Sequence, residues 1–262
     1  MPIARVNGLD LYYELAGSGP PLVLLHGLGS SSADWGFQLP EFSARYHVIT
    51  VDLRGHGRSL DGAWHYSVTQ MADDVGALLA TLDLGPAHVV GLSLGGCAAQ
   101  PLAAQHPERV RSLVLCNTFA RLRPDGVRGA ARLLRRAWLF ATAPMPVVAE
   151  YVAAGLFPKP EHHALYAEAA IRIGRNQKRP YLAAMRAVVG FDSRALLAGI
   201  RCPTLVLAGD SDLTVPAASG RALARAIPGG TFALITDSGH ATPYDQPEAF
   251  NRAVLEFLDS AA

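Results

Sequence analysis

Charge is scarce in this chain: only 17% of its 262 residues are Asp, Glu, Lys or Arg, and 23 bases against 22 acids leave a formal net charge of +1. So even a balance gives no global field to draw in nucleic acid or an acidic membrane surface, and neither is expected as a partner. Long apolar runs are missing as well. Nowhere do about eighteen uncharged apolar residues follow one another, so no membrane span is expected. The opening Met-Pro-Ile-Ala-Arg-Val-Asn-Gly has one early arginine and no apolar run after it of the length a secretory signal needs. Cysteine is limited to Cys97, Cys116 and Cys202, odd in number, widely spaced, and each in or beside an apolar segment. They read as buried free thiols, with no disulfide frame and no metal site, and a reducing cytoplasm is the expected location. Linkers rich in Ser, Gly or Pro and internal repeats are also lacking, which favours a single domain.

What is present is a chain that is half apolar, the balance of a compact globular enzyme. Short β-branched and leucine-rich runs at 21–25, 47–51, 88–90, 110–115, 204–208 and 231–235 are continuous enough to be strands buried on both faces. Residues 9–15 alternate more and are expected to form an antiparallel strand at the sheet edge. Longer amphipathic stretches separate the runs, which argues for a mostly parallel sheet with crossover helices. Residues 69–82 have helical spacing behind a capping-box pair, Ser67 and Gln70, and residues 247–258 form a second clear helix that begins with proline. The interval 119–190 breaks the alternation. It carries Pro144, Pro146, Pro158 and Pro160, shows no convincing strand, and is expected to be a helical cap inserted into a core of 1–118 and 191–262.

The sharpest chemical signal is Gly91-Leu92-Ser93-Leu94-Gly95, followed by Gly96, between an expected strand and an expected helix. A serine on such a turn is pushed out at the carboxyl end of the sheet, and the small flanking residues let neighbouring backbone approach. A serine hydroxyl needs a base to act as a nucleophile. Of nine histidines, His240 in Asp237-Ser238-Gly239-His240 lies between the last strand and the last helix, where a loop presents it at the same sheet edge. The base in turn needs a carboxylate to fix its tautomer. Asp212 and Asp210 both follow the strand at 204–208, and either could instead be a turn residue.

These pieces together resemble the α/β-hydrolase superfamily over nearly the whole chain. The resemblance rests on Leu24-Leu25-His26-Gly27, Asp52-Leu53-Arg54-Gly55-His56-Gly57-Arg58-Ser59, the GLSLGG elbow, residues 209–216 and Ser238-Gly239-His240. It implies the α/β-hydrolase fold: a mostly parallel eight-stranded sheet flanked by helices, with an inserted helical cap. It also implies a triad in the chain order Ser93, Asp212, His240, with backbone N–H groups of Leu28 and Leu94 as the oxyanion hole and His56 in a structural stretch. Haloalkane dehalogenases and epoxide hydrolases carry Asp where this chain has Ser93. Residues 88–124 are similar to 3-oxoadipate enol-lactonases, whereas His26-Gly27-Leu28-Gly29 looks more like general carboxylesterases.

The expected activity is hydrolysis of a small-molecule carboxylic ester or lactone through an acyl-enzyme, with no metal or organic cofactor. One alternative is an enol-lactonase-like enzyme acting on an anionic lactone. An alternative of another class is a catalytically weak receptor that keeps the fold and binds a small ligand. Within the cap, Arg121, Arg123, Arg128, Arg132, Arg135 and Arg136 are opposed locally by Asp125 alone. They are either a solvated helix face or, in one or two cases, holders of a substrate carboxylate. Trp138, four residues after Leu134, is the candidate for an apolar wall of the substrate pocket.

Overall fold

The computed structural model describes residues 2–60, 62, 65–122 and 126–261, without the side chains at positions 128–130 and 132. Its eight strands are β1 (Ile3–Val6), β2 (Leu9–Ala16), β3 (Pro21–Leu25), β4 (His47–Val51), β5 (Ala87–Leu92), β6 (Val110–Cys116), β7 (Thr204–Gly209) and β8 (Thr231–Ile235). They form one sheet in the order β1-β2-β4-β3-β5-β6-β7-β8. Pairs β1·β2 and β2·β4 are antiparallel, and every pair from β4 onward is parallel. Helices cover both faces of the central strands, so Leu22, Val23, Leu24 and Leu25 are all fully buried. That two-sided burial is why these runs are continuously apolar. Strand β8, expected to be buried on both faces, instead lies at the sheet edge and buries only Ile235.

The strand at 9–15 is not the edge. Residues 3–6, too short to announce themselves, pair outside it with Ile3 opposite Tyr12 and Val6 opposite Leu9. The strand order places β1 at the true edge, and its alternate exposed and buried positions show that only one of its faces is covered.

The main helices are α1 (Val68–Leu82), α2 (Leu94–Gln105), α3 (Gly126–Thr142), α4 (Met145–Leu156), α5 (His163–Gly174), α6 (Lys178–Val189), α7 (Ala217–Ala226) and α8 (Pro247–Ser260). The start of α1 is fixed by the capping box: Gln70 N donates to Ser67 Oγ (3.1 Å), and Ser67 N donates to Gln70 Oε1 (2.8 Å). Such a cap stabilises a helix by about 1 kcal/mol. One apolar core lies between the sheet and α1 and α2, around Met71, Val75, Val89 and Ala98. The opposite face packs Trp35, Phe42, Phe250 and Val254. Helices α3 to α6, all between β6 and β7, have a centre of their own in Phe140, Met145, Val148, Ile173 and Tyr181. No helix of the described residues is long and apolar enough to cross a membrane.

Because β3, β5, β6, β7 and β8 run parallel, the loops after them leave the sheet along one edge. In open α/β sheets this carboxyl-terminal edge is where ligands bind.

Candidate active site

Ser93 stands alone between β5 and α2, with φ 52° and ψ −109°. A non-glycine residue in this region costs on the order of 1–3 kcal/mol and persists only where its surroundings over-determine it. Three contacts do so here. Ser93 N donates to Cys116 O (2.9 Å), while Ser93 O accepts from Cys97 N (2.9 Å) and from Thr118 Oγ1 (2.8 Å). Gly95 is required by proximity, since a Cβ there would lie 2.0 Å from Leu25 O. The elbow is thereby pressed against the end of β3.

His240 meets the serine from the loop after β8. Its Nε2 lies 2.9 Å from Ser93 Oγ, and its Nδ1 lies 2.7 Å from Asp212 Oδ2. An ionised carboxylate only accepts, so Nδ1 carries the proton and the neutral ring presents a lone pair on Nε2 to the serine hydroxyl. The other carboxylate oxygen of Asp212 accepts from Thr214 N (2.7 Å) and Val215 N (2.8 Å). Both side chains are removed from water, at 8% exposure for His240 and 0% for Asp212. Asp210, the rival acid, is exposed and bonds Ser211 Oγ (2.9 Å) and Ser238 N (3.3 Å) instead. Of the two aspartates, Asp212 is the one that reaches the ring.

The loop after β3 passes close to the same serine: a Cβ on Gly27 would be 3.7 Å from Ser93 Cβ. Its course is set by His26, whose Nδ1 donates to Gly27 O (2.7 Å) while Nε2 accepts from Leu53 N (3.0 Å). Burial pushes the His26 pKa down and keeps this ring neutral. Asp52 holds the same region, accepting from Ser32 N (2.6 Å) and Arg58 N (2.8 Å). His56 is buried with its pKa lowered by burial to about 3, beside His26 and away from Ser93. Leu28 and Leu94 both border the space in front of Ser93. Leu94 is the first residue of α2, where N–H groups have no partner within the helix. Among the described residues neither its N–H nor that of Leu28 donates to a protein acceptor.

That space is a cavity of about 890 Å³, with Ser93 and His240 on its floor and residues of α3 to α6 as its roof. Helix α3 turns Leu133, Arg136, Ala137, Phe140 and Ala141 inward. Trp138 is not part of this wall. It is 67% exposed, and Leu134 is 72% exposed, because at 100° per residue both lie about a third of a turn round from the inward stripe.

The arginines divide similarly. Arg121 pairs with Asp192 at 3.8 Å, and Arg135 faces solvent. Arg123 and Asp125 lie outside the described residues, as do the side chains of Arg128 and Arg132. Arg136 alone of those described reaches the cavity. Its guanidinium sits 5.1 Å from the Phe140 ring centroid, and its buried Nε has no acceptor among the described residues.

The nearby Tyr181 hydroxyl is also buried without a partner among the described residues; burial pushes its pKa up to about 12, against the pull of the Arg136 charge. Nothing in the local sequence marked Tyr181. Its ring packs on Gly29, where an added Cβ would be 2.7 Å from Tyr181 Cε2. Beside it, Asn176 Nδ2 donates to Gly29 O (2.8 Å), and Tyr66 Oη donates to Pro180 O (2.9 Å). Arg172 also lines the cavity but is already paired with Asp34 and Glu168. No group of three or more His, Cys, Asp or Glu among the described residues is placed to hold a metal ion.

Comparison with known proteins agrees with this architecture. Residues 20–247 match the family model for the alpha/beta hydrolase fold. The chain is 34% identical, over 98% of each sequence, to the protein assigned as carbamate hydrolase RutD in Azorhizobium caulinodans. It is 30% identical to 3-oxoadipate enol-lactonase 2 of Acinetobacter baylyi, over 90% of this chain and 87% of that one. The crystal structure of the enol-lactonase from Burkholderia xenovorans LB400 superposes with a TM-score of 0.90 at 32% identity, covering 98% of this chain and 100% of that one. With hydrolases as relatives along its whole length, an eight-stranded sheet of this order and helices on both faces, the chain belongs to the α/β-hydrolase fold family.

Proposed function

We propose that the protein is a serine hydrolase that cleaves carboxylic esters or lactones through an acyl-enzyme, with Ser93 as nucleophile, His240 as general base and acid, and Asp212 as the group that orients the ring. The observation that carries this reading is the unbroken line from Asp212 Oδ2 to His240 Nδ1 and from His240 Nε2 to Ser93 Oγ, ending at the cavity floor. In the first half-reaction, Ser93 Oγ attacks the carbonyl carbon as His240 takes its proton, and the N–H groups of Leu28 and Leu94 hold the resulting oxyanion. Collapse breaks the C–O bond, and His240 delivers the proton to the leaving alkoxide. Water then repeats the sequence on the acyl-serine, releasing the acid and restoring the serine. Backbone donors fixed at a helix start and in a tied loop need no reorganisation as charge develops, which is the main source of rate.

Helices α3 to α6, within residues 119–190, serve as the cap that selects the substrate. Here a specific observation favours the anionic variant of the reading. A guanidinium and a phenol with unmet hydrogen-bonding groups border a largely apolar cavity, and a substrate carboxylate supplies the missing acceptor. The likeness to RutD brings carbamates into the same scheme, since they too present a carbonyl to the serine.

A panel of p-nitrophenyl esters, lactones and carbamates, each in neutral and carboxylate-bearing form, tests the assignment with wild type, Ser93→Ala and Arg136→Gln. Turnover by wild type that disappears in Ser93→Ala is expected, with Arg136→Gln lowering kcat/KM for the acidic member of each pair about tenfold or more and the neutral member little. Binding of these compounds without turnover would make the chain a receptor. Equal kcat/KM for neutral and acidic partners would remove the anionic preference.

A further inference from the structure

Two residues outside the proposed reaction hold the three loops that carry Ser93, Asp212 and His240. Strand β6 ends at Cys116, and Asn117 and Thr118 follow, each 1% exposed. Neither borders the cavity. Asn117 has a left-handed backbone, φ 47°, which asparagine tolerates better than most residues but which still needs support. Its own N–H donates to Leu207 O (3.0 Å) on β7.

The side chain spans two loops. Asn117 Oδ1 accepts from Gly209 N (2.9 Å), where β7 turns into the segment carrying Asp212. Asn117 Nδ2 donates toward His240 O (2.8 Å) and Thr242 Oγ1 (2.7 Å), with Gly239 O at 3.2 Å. The amide thus ties the turn three residues before the carboxylate to the peptide of the imidazole itself. On either side of it, Cys116 O accepts from Ser93 N and Thr118 Oγ1 donates to Ser93 O, at 2.9 and 2.8 Å. The other flank of the histidine loop is held independently, with Asp245 accepting from Gly239 N (2.5 Å) and Ser238 Oγ (2.8 Å).

We propose that Asn117 is the positioning residue that sets the distance between Asp212, His240 and Ser93, with Thr118 fixing the serine end. The inference rests on the serine-hydrolase reading above. Asparagine is needed because the site asks for one acceptor and one two-proton donor within a single planar group. Aspartate would offer an acceptor to Gly209 N but set a second oxygen against the carbonyls of residues 239 and 240. Alanine would leave these buried groups without partners and let the two loops part. A misplacement of about 1 Å at a reacting group costs on the order of 10²-fold in rate.

The test compares wild type, Asn117→Ala, Asn117→Asp and Thr118→Val for kcat, KM and the rate of Ser93 labelling by a fluorophosphonate, with folding checked by circular dichroism. In Asn117→Ala, kcat and labelling rate are expected to fall together by about 10²-fold while KM stays within about twofold, because no cavity wall changes. Asn117→Asp should do no better. Thr118→Val, which keeps shape and loses the bond to Ser93 O, should fall by about tenfold in both readouts and keeps the proposal testable if the Asn117 variants do not fold. Folded variants whose kcat and labelling stay within about threefold of wild type, or in which only KM moves, overturn the positioning role. Wild type that takes no label at Ser93 would instead refute the serine-hydrolase reading on which it rests.

Discussion

Replacing Asp212 with asparagine should abolish the base while leaving every heavy atom of the site in place. Asp212 Oδ1 accepts from two backbone donors, Thr214 N and Val215 N, at 2.7 and 2.8 Å. An asparagine amide group at that position would face both donors, at about 1–3 kcal/mol for each buried group left unsatisfied. The oxygen of the new side chain therefore stays where Oδ1 was, and its NH2 points at His240 Nδ1. A donor facing Nδ1 selects the tautomer protonated on Nε2. That proton then points at Ser93 Oγ, 2.9 Å away, where a lone pair is needed. Loss of about 10⁴-fold in kcat is expected from such a tautomer reversal, about 5.5 kcal/mol at ~1.36 kcal/mol per decade. Steady-state hydrolysis of a p-nitrophenyl ester measures it directly, with Asp210→Asn as the companion. That companion should remain within about threefold of wild type, since substitutions at an exposed side chain that touches no reacting group have small effects. A folded Asp212→Asn protein that loses less than tenfold, or an Asp210→Asn protein that loses more, would show that the carboxylate is not orienting the ring.

Ser93→Ala and His240→Ala should each lower hydrolysis by several orders of magnitude, and the double variant should be hardly worse than either; additive losses would separate the two residues. Gly95→Ala drives a methyl group to 2.0 Å from Leu25 O, so a depressed Tm and at least about 10²-fold lower activity are expected, and a fully active, equally stable variant would refute the close packing of the elbow. Burial lowers the pKa of His56 from 6.5 to about 3, and burial with the charge of Arg111 lowers that of His88 from 6.5 to about 4. Below 6.5 the unfolded chain therefore binds more protons than the folded one, and stability should fall as pH drops from 6.5 toward 4. Tm from circular dichroism at pH 7.5 and 5 measures the fall, which should shrink in His88→Gln; the same fall in that variant would remove His88 from the account.

The strands at 21–25 and 47–51 were legible to the residue because two-sided burial leaves a nearly uninterrupted apolar run, a property of the sequence itself; 231–235 was legible too, although at the sheet edge only Ile235 of it is buried. The four residues of β1 were not, since an edge strand so short buries only Ala4 and Val6 and has no run to see. Ser93 and His240 could be singled out because each sits in a short local motif between a strand and a helix. Asp212 and Asp210 could not be separated locally, because what distinguishes them is which side chain meets a ring 28 residues further on. Trp138 fails for a related reason. Helical spacing groups it correctly with Leu134, but the phase at which α3 meets the cavity is set by α4 and α6 packing against Phe140. Asn117 left no trace in pattern at all, since its partners come from two loops more than ninety residues away.

The bonds from Asn176 to Gly29 and from Tyr66 to Pro180 also bear on how material can enter and leave. They pin the turn between α5 and α6 to the loop carrying Leu28, and the start of α6 to the segment before α1. Swinging that side of the roof outward would pull on Gly29 and disturb the neighbouring backbone N–H. The opposite side, where α3 follows β6, is joined to the roof through rings, aliphatic contacts and the hydrogen bonds from Lys178 Nζ to Ala141 O (3.0 Å) and Ala143 O (2.7 Å), none of which involves that loop. Traffic through the α3 side leaves the chemistry assembled between turnovers; traffic through the α5–α6 side would require it to be rebuilt each time.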